Sequence, residues 1–207
     1  RVLKYTYLGN WEKREGNSNV EEKYLTAYLA RRGYTDKEIR SAIAKLKQAA
    51  GSLGGGLYNA NKEVYTLLRY GVNVQAEVTE KKKMVHLIDW ANPMENDFQI
   101  AEEVTIHGTS DRRPDLVVYV NGIALAVIEL KRSTVSAHEG IRQNIRNQQD
   151  AYIPQFFTTI QLLFAGNDTE GLHYGVIKTP EKFWLRWKEP CGDPCAKPHF
   201  SAEQYPN

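Results

Sequence analysis

Arg113-Pro114-Asp115-Leu116-Val117-Val118-Tyr119-Val120-Asn121-Gly122-Ile123-Ala124-Leu125-Ala126-Val127-Ile128-Glu129-Leu130-Lys131 is the stretch that decides the fold. Leu116–Val120 and Ile123–Leu130 are nearly continuous apolar runs. Such runs read as strands buried on both faces, so they are expected at the centre of a sheet. Asn121-Gly122 between them is a strong hairpin signal. Arg113-Pro114-Asp115 stands at the mouth of the first strand and Glu129-Leu130-Lys131 at the end of the second. Charged groups at the ends of the most apolar strands are costly unless paired or bound to something.

Alternation puts Glu129 and Lys131 on one face and Leu130 on the other. Register decides whether Asp115 joins them. A strict two-residue loop pairs Val120 with Ile123 and sets Asp115 opposite Ile128. A three-residue loop or a bulge pairs Val120 with Ala124 and sets Asp115 opposite Glu129. The second register is expected here, because two facing carboxylates beside a lysine make a site for a hard cation. Asp115, Glu129 and the Leu130 carbonyl can hold Mg²⁺ and leave room for water and a phosphate oxygen. The metal would polarise the phosphate and acidify the water. Lys131 would orient that water or stabilise developing charge. The blander reading is an ion pair between Lys131 and one carboxylate.

Upstream, Ser18/Glu21 and Asn19/Glu22 offer overlapping capping boxes for a helix carrying Leu25, Tyr28 and Leu29 and ending at Gly33. Thr35-Asp36-Lys37-Glu38 opens a second helix, with Ile39, Ile43 and Leu46 on one face and a stop at Gly51. Gly51–Gly56 is glycine-rich, but no Gly-Lys-Ser/Thr follows it, so it reads as a connector and not a nucleotide loop. A short helix over about 61–70 ends at Gly71. Val72–Val78, Met84–Trp90 and Phe98–His107 read as a strand meander turning at Glu80–Lys83. Downstream, Ser136–Tyr152 reads as a helix with Ile141 and Ile145 toward the core. Thr159–Phe164 and Leu172–Ile177 read as strands. The order predicts an α+β, or mixed α/β, domain: a central mixed β-sheet flanked by helices. It would occupy residues 1–189, with a helical part at about 18–71 and a sheet core at about 72–178. A Pro-rich tail or linker follows at 190–207.

Composition limits the function classes. The 207 residues are 42% apolar and 25% charged, normal for a folded globular chain. The apolar run Ile123–Ile128 is far too short to span a membrane. No secretory leader is expected, since the first residues form no apolar run, and the absence of an initiator Met is taken to mark a piece of a longer protein. A net charge of +2 does not announce nucleic-acid binding, nor does it exclude a local basic groove. Cys191 and Cys195 would close too small a loop for a useful disulfide and, even with His199, lack a fourth zinc ligand. Reduced thiols in a cytoplasmic protein are the expectation.

The quoted hairpin, with Arg112 ahead of it, resembles the PD-(D/E)xK nuclease superfamily. The wider wording is similar to the N-terminal endonuclease domain of the restriction (R) subunit of type I restriction-modification enzymes. Leu68-Arg69-Tyr70-Gly71-Val72, Leu87-Ile88-Asp89-Trp90 with Asn92-Pro93 and Asn96-Asp97-Phe98, Glu139-Gly140-Ile141-Arg142-Gln143-Asn144, and Phe164-Ala165-Gly166-Asn167-Asp168-Thr169 carry that likeness. The resemblance implies a PD-(D/E)xK restriction-endonuclease-like core and Mg²⁺-dependent hydrolysis of DNA phosphodiesters. Asp115 and Glu129 would be metal ligands and Lys131 the catalytic lysine. Glu22, with Glu21 as second choice, would complete the acidic cluster, although both also fit helix capping. Gln148 and Tyr152, four apart on one helical face, would supply the family's Gln-x-x-x-Tyr motif. Arg112, Arg113, Arg132, Arg142 and Arg146 are the candidates for DNA backbone contacts. The resemblance further implies double-stranded DNA and the methyltransferase and specificity subunits as partners. ATP and S-adenosylmethionine would serve only the whole enzyme, and cleavage by this piece alone would be weak or absent. Rival readings are a non-catalytic nuclease-fold module that docks DNA or subunits, and another nuclease of the superfamily, such as a resolvase or repair nuclease.

Overall fold

The computed structural model describes residues 5–75 and 82–188. A first strand, β1 (Thr6–Asn10), precedes α1 (Glu22–Arg31), α2 (Asp36–Gly51) and α3 (Leu57–Tyr70). Two short strands, β2 (Val72–Val74) and β3 (Lys83–Val85), pair with each other as a separate ribbon. Then come β4 (Phe98–Glu102), β5 (Leu116–Val120), β6 (Ile123–Leu130), α4 (Ala137–Asn147), β7 (Leu162–Asn167), β8 (Gly171–Gly175) and β9 (Leu185–Arg186). Seven strands form one mixed sheet in the order β1-β4-β5-β6-β7-β8-β9. β1 runs parallel to β4 and β6 parallel to β7, and the other neighbours are antiparallel. The fold is therefore mixed α/β, a central sheet flanked by helices. β5 and β6 have the bounds their apolar runs suggest and lie near the middle.

The helices follow local chemistry with one exception. The Thr35 hydroxyl accepts from the Glu38 N–H while the Glu38 carboxylate accepts from the Thr35 N–H, a complete capping box for α2. Helix α3 stops at Gly71, whose φ of +89° suits glycine. At α1 the expected boxes do not form. Glu21 is the N-cap residue without a side-chain cap, and its carboxylate instead accepts from the Ser18 N–H.

Several strand expectations change. The first two strands of the meander do not join the main sheet, because β2 and β3 pack with the helices, whereas its third becomes β4 of that sheet. Val72, Val74, Val85 and Leu87 share a core with Leu25, Leu29, Ile39, Leu46 and Val64. Strand structure ends at Val85 rather than Trp90 and at Glu102 rather than His107. The expected Val72–Val78 strand ends at Val74, and residues 76–81 lie outside the described residues. Helix α4 ends at Asn147, well before Tyr152. β7 begins at Leu162 and β8 ends at Gly175. The edge strands β1 and β9 had no sequence expectation. The Pro-rich tail with Cys191, Cys195 and His199 lies outside the described residues.

A second core lies between one sheet face and α4. Val117, Tyr119, Ala124, Val127, Ile141, Phe156, Phe157, Leu163 and Ala165 meet there. Burying each large apolar side chain stabilises by roughly 1.5–3 kcal/mol, so this layer holds β5 and β6 rigidly. No described helix is long and apolar enough to cross a membrane.

The β5–β6 turn is tight. Asn121 and Gly122 have φ of +54° and +82°, the pattern of a two-residue primed turn. A Cβ on Gly122 would lie 2.8 Å from the Glu21 carbonyl oxygen and from Tyr24 Cβ, at the start of α1. Gly122→Ala therefore combines a left-handed backbone with a clash against another element. Denaturant unfolding should show a loss of about 2 kcal/mol or more. A loss below about 0.5 kcal/mol would contradict this packing.

Candidate active site

The register of the central hairpin differs from expectation in its route. The turn pairs Val120 with Ile123, the strict two-residue arrangement, and not with Ala124. The slip comes later: Tyr119 pairs with Ala124 but Val118 with Ala126, so Leu125 is an unpaired bulge. Beyond it Leu116 faces Ile128, and the next step along the ladder brings Asp115 level with Glu129.

The bulge also resets which side chains face which way. Ala124 packs in the core beneath α4, Leu125 against the other core, and Val127 again beneath α4. Unbroken alternation from Ala124 would have turned Glu129 away from that core. With Leu125 bulged, Glu129 follows Val127 onto the face covered by α4. Asp115 shares that face, two residues before Val117 and four before Tyr119.

Three groups converge there. Glu129 is fully buried. Asp115 Oδ2 accepts from the Leu130 N–H at 2.6 Å. In a strand a residue's N–H and C=O leave on the same edge, so the Leu130 carbonyl also points toward β5. Lys131 Nζ stands 3.7 Å from Glu129 Oε2. Burial, then the nearby Asp115 charge, pushes the Glu129 carboxyl up to about 8, and Lys131 only partly offsets this. Among the described residues Glu129 Oε1 accepts no hydrogen bond, which is costly for a buried charged oxygen, and the carboxyl group lies within reach of Asp115, where a shared proton favours its neutral form.

A fourth group was not anticipated in the sequence. Gln143 of α4 donates from Nε2 to Glu129 Oε2 at 2.7 Å and accepts at Oε1 from Lys131 Nζ at 2.8 Å. Helix α4 comes close enough because of Gly140. A Cβ there would meet Ala165 Cβ at 3.1 Å and the Glu129 Cβ at 3.5 Å. The usable signal was spacing: Gly140, Gln143, Asn144 and Asn147 form an i, i+3, i+4, i+7 stripe, and three of the four are buried.

Other candidate residues fall elsewhere. Glu22 is exposed and pairs with Lys47 of α2 at 2.5 Å. Glu21 is buried, but two nitrogens of Arg14 hold it at 2.9 and 2.6 Å. It sits beside Tyr119, which is about 13 Å along β5 from Asp115. Gln148 lies just past the end of α4, so it shares no helical face with Tyr152. Its amide bonds the Asn144 carbonyl and the Lys178 N–H. The Tyr152 ring lies under the Arg112 guanidinium at 3.9 Å. Neither reaches the carboxylates by any described hydrogen bond. Among the described residues no cluster of three His, Cys, Asp or Glu side chains is poised around a metal. The oxygens gathered at this end of the hairpin are those of the Asp115 and Glu129 carboxyl groups and the Leu130 carbonyl.

Of the five candidate arginines, Arg112 donates to the Ser110 hydroxyl and the Asp111 carbonyl, and the other four divide into two groups. Arg113 is tied to Glu103 at 2.7 Å and to Glu12. Arg142 is tied to Glu139 and Glu181. The side chains of Arg132 and Arg146 are exposed and make no hydrogen bond or ion pair among the described residues.

Comparison with known proteins gives a consistent picture. The MjaIXP type I restriction enzyme endonuclease subunit of Methanocaldococcus jannaschii is 31% identical over 134 residues, covering 61% of this chain and 12% of that protein. A type I restriction enzyme endonuclease subunit of Staphylococcus saprophyticus is 26% identical, covering 64% and 13%. The EcoprrI endonuclease subunit of Escherichia coli is 27% identical, covering 50% and 35%. The chain thus spans about an eighth of the first two relatives. Residues 1–182 match the family described as the type I restriction enzyme R protein N terminus. The chain belongs to that family.

Proposed function

We propose that this chain is a divalent-metal-dependent DNA endonuclease module of the PD-(D/E)xK type. In the complete enzyme it would cut after ATP-driven translocation by other parts, with the methyltransferase and specificity subunits as partners. The observation that carries the reading is the buried Glu129 carboxylate, facing Asp115, with one oxygen left unpartnered and Lys131 alongside. Two carboxylates and a carbonyl fit Mg²⁺, a hard cation that takes oxygen ligands and keeps several waters. Asp115, Glu129 and the Leu130 carbonyl would hold it.

When bound, the cation supplies Lewis acidity toward a phosphate oxygen and lowers the pKa of a bound water. The chain's own groups do the rest. Glu129 would hold the cation in its deprotonated form. Asp115 is held in place by the Leu130 N–H. Lys131, steadied by Gln143, sets a positive charge where a phosphate oxygen would gain negative charge. Arg132 and Arg146 offer exposed charge for strand phosphates.

Calorimetric titration of Mn²⁺ tests the reading. Binding should vanish in Asp115→Ala, survive in Lys131→Ala, and release a proton below about pH 8. In the complete enzyme Lys131→Ala should lower cleavage by about a hundredfold or more. Absence of Mn²⁺ binding to folded protein, with and without duplex DNA, would remove the proposal.

Glu129 also predicts a pH profile for stability in EDTA. Its folded carboxyl is raised well above the ordinary glutamate range, so the folded chain keeps a proton that the unfolded chain loses. Stability should therefore fall from about pH 4.5 to pH 8, by on the order of a few kcal/mol, and level off above. Thermal melts of Glu129→Gln should lack this decline. An unchanged decline in the variant would assign it to other groups.

A further inference from the structure

Leu68-Arg69-Tyr70 and Leu87-Ile88-Asp89-Trp90 carry part of the family likeness, yet neither reaches the Asp115–Lys131 site. They meet elsewhere, around a cavity of about 300 Å³ lined by Arg32, Tyr34, Arg69, His86, Asp89 and Trp90 among others. The cavity lies toward the turn end of the central hairpin. Asn121 in that turn donates to the Leu87 carbonyl at 2.9 Å. Glu129 is near the other end of β6, whose eight residues span roughly 25 Å.

The lining combines a fixed aromatic surface with excess positive charge. Trp90 is 48% exposed, but its indole N–H donates to the Leu68 carbonyl at 2.8 Å. A ring held this way presents a face to solvent at little further cost in entropy. The Arg69 guanidinium lies 5.6 Å from that ring and 6.0 Å from the exposed ring of Tyr70. It makes no hydrogen bond or ion pair among the described residues. Arg32 is paired with Asp89 at 2.7 Å. Asp89 also accepts from the Asn92 N–H, so it cannot neutralise both arginines. Lys83 approaches Tyr34 but is engaged by Glu38 at 2.9 Å.

An anchored, exposed indole beside an unpaired guanidinium matches the chemistry that holds bases by stacking and phosphates by charge. The volume is at the low end for small-ligand pockets, which suits one nucleotide. A base inside a duplex cannot expose its face to the ring. We propose that this cavity binds a single unstacked nucleotide, its base on Trp90 and its phosphate at Arg69. The unit can come from an unpaired stretch of DNA or from a free mononucleotide.

The test is fluorescence anisotropy with labelled oligothymidylate and with a blunt duplex of equal length, in EDTA. Metal-free conditions keep the result independent of the proposed cation site. The chain should bind the single strand more tightly than the duplex. Arg69→Ala and Trp90→Ala should each weaken strand binding roughly tenfold or more. Trp90→Phe, which keeps a stacking face but loses the anchor to Leu68, should retain only part of it, and Arg69→Ala keeps the test sound if Trp90→Ala misfolds. Lys62→Ala, which removes an exposed charge from α3 outside the cavity, controls for general electrostatics. Displacement of the strand by thymidine monophosphate would show that a free nucleotide suffices, and failure to displace would show that a strand is required; either supports the site. Equal losses in Arg69→Ala and Lys62→Ala, or no preference for the single strand, would overturn it.

Discussion

One unpaired residue sets the rest of the site. Leu125 adds a step to β6, and every side chain after it changes face. Without that step Glu129 and Lys131 would point away from the core beneath α4. With it they point into the sheet face that α4 covers, level with Asp115. The tight Asn121-Gly122 turn fixes the start of the count, and the core around Tyr119 and Val127 fixes its end. A one-residue error would bury Ile128 where Glu129 stands, so the register is strongly specified.

The arrangement holds a carboxyl group in a place where charge is disfavoured. Glu129 is fully buried, near another carboxylate, with an oxygen that nothing in the described chain satisfies. The surrounding apolar layer supplies the stability that tolerates this. Val127, Ile141, Leu163 and Ala165 are all fully buried around it. Local rules broken inside a well-packed frame are the pattern expected where function opposes stability.

Much of this was legible in the sequence, and the exceptions have physical reasons. The strand bounds of β5 and β6 follow from apolar runs, and the start of α2 from Thr35 and Glu38, because these are local signals. The position of the slip was not legible, since a loop and a bulge give the same final register with different intermediate pairing. β2 and β3 alternate like sheet strands, yet which surface they cover is decided by α1–α3. The N-terminal strand β1 is a parallel edge partner of β4, distant in sequence, and leaves little local trace. Glu22 fits an acidic helix start, but Lys47 on α2 takes it. Gln148 and Tyr152 fit the Gln-x-x-x-Tyr motif that the resemblance implies, whereas α4 ends before either and Gln143 faces the carboxylates.

Gln143 shows why the residue type matters as much as its place. It must accept from an ammonium and donate to a carboxylate at once, within 2.8 and 2.7 Å. An amide does both without adding charge. A glutamate there would add a third negative group and push Glu129 further toward its neutral form. A lysine would compete with Lys131 for the same carboxylate. The amide can serve only if α4 stays close, and Gly140 allows that approach. Asn144 fixes the helix from the same side by donating to the Phe164 carbonyl at 3.0 Å. The helix therefore holds Gln143 between the two side chains, with Lys131 Nζ 3.7 Å from Glu129 Oε2.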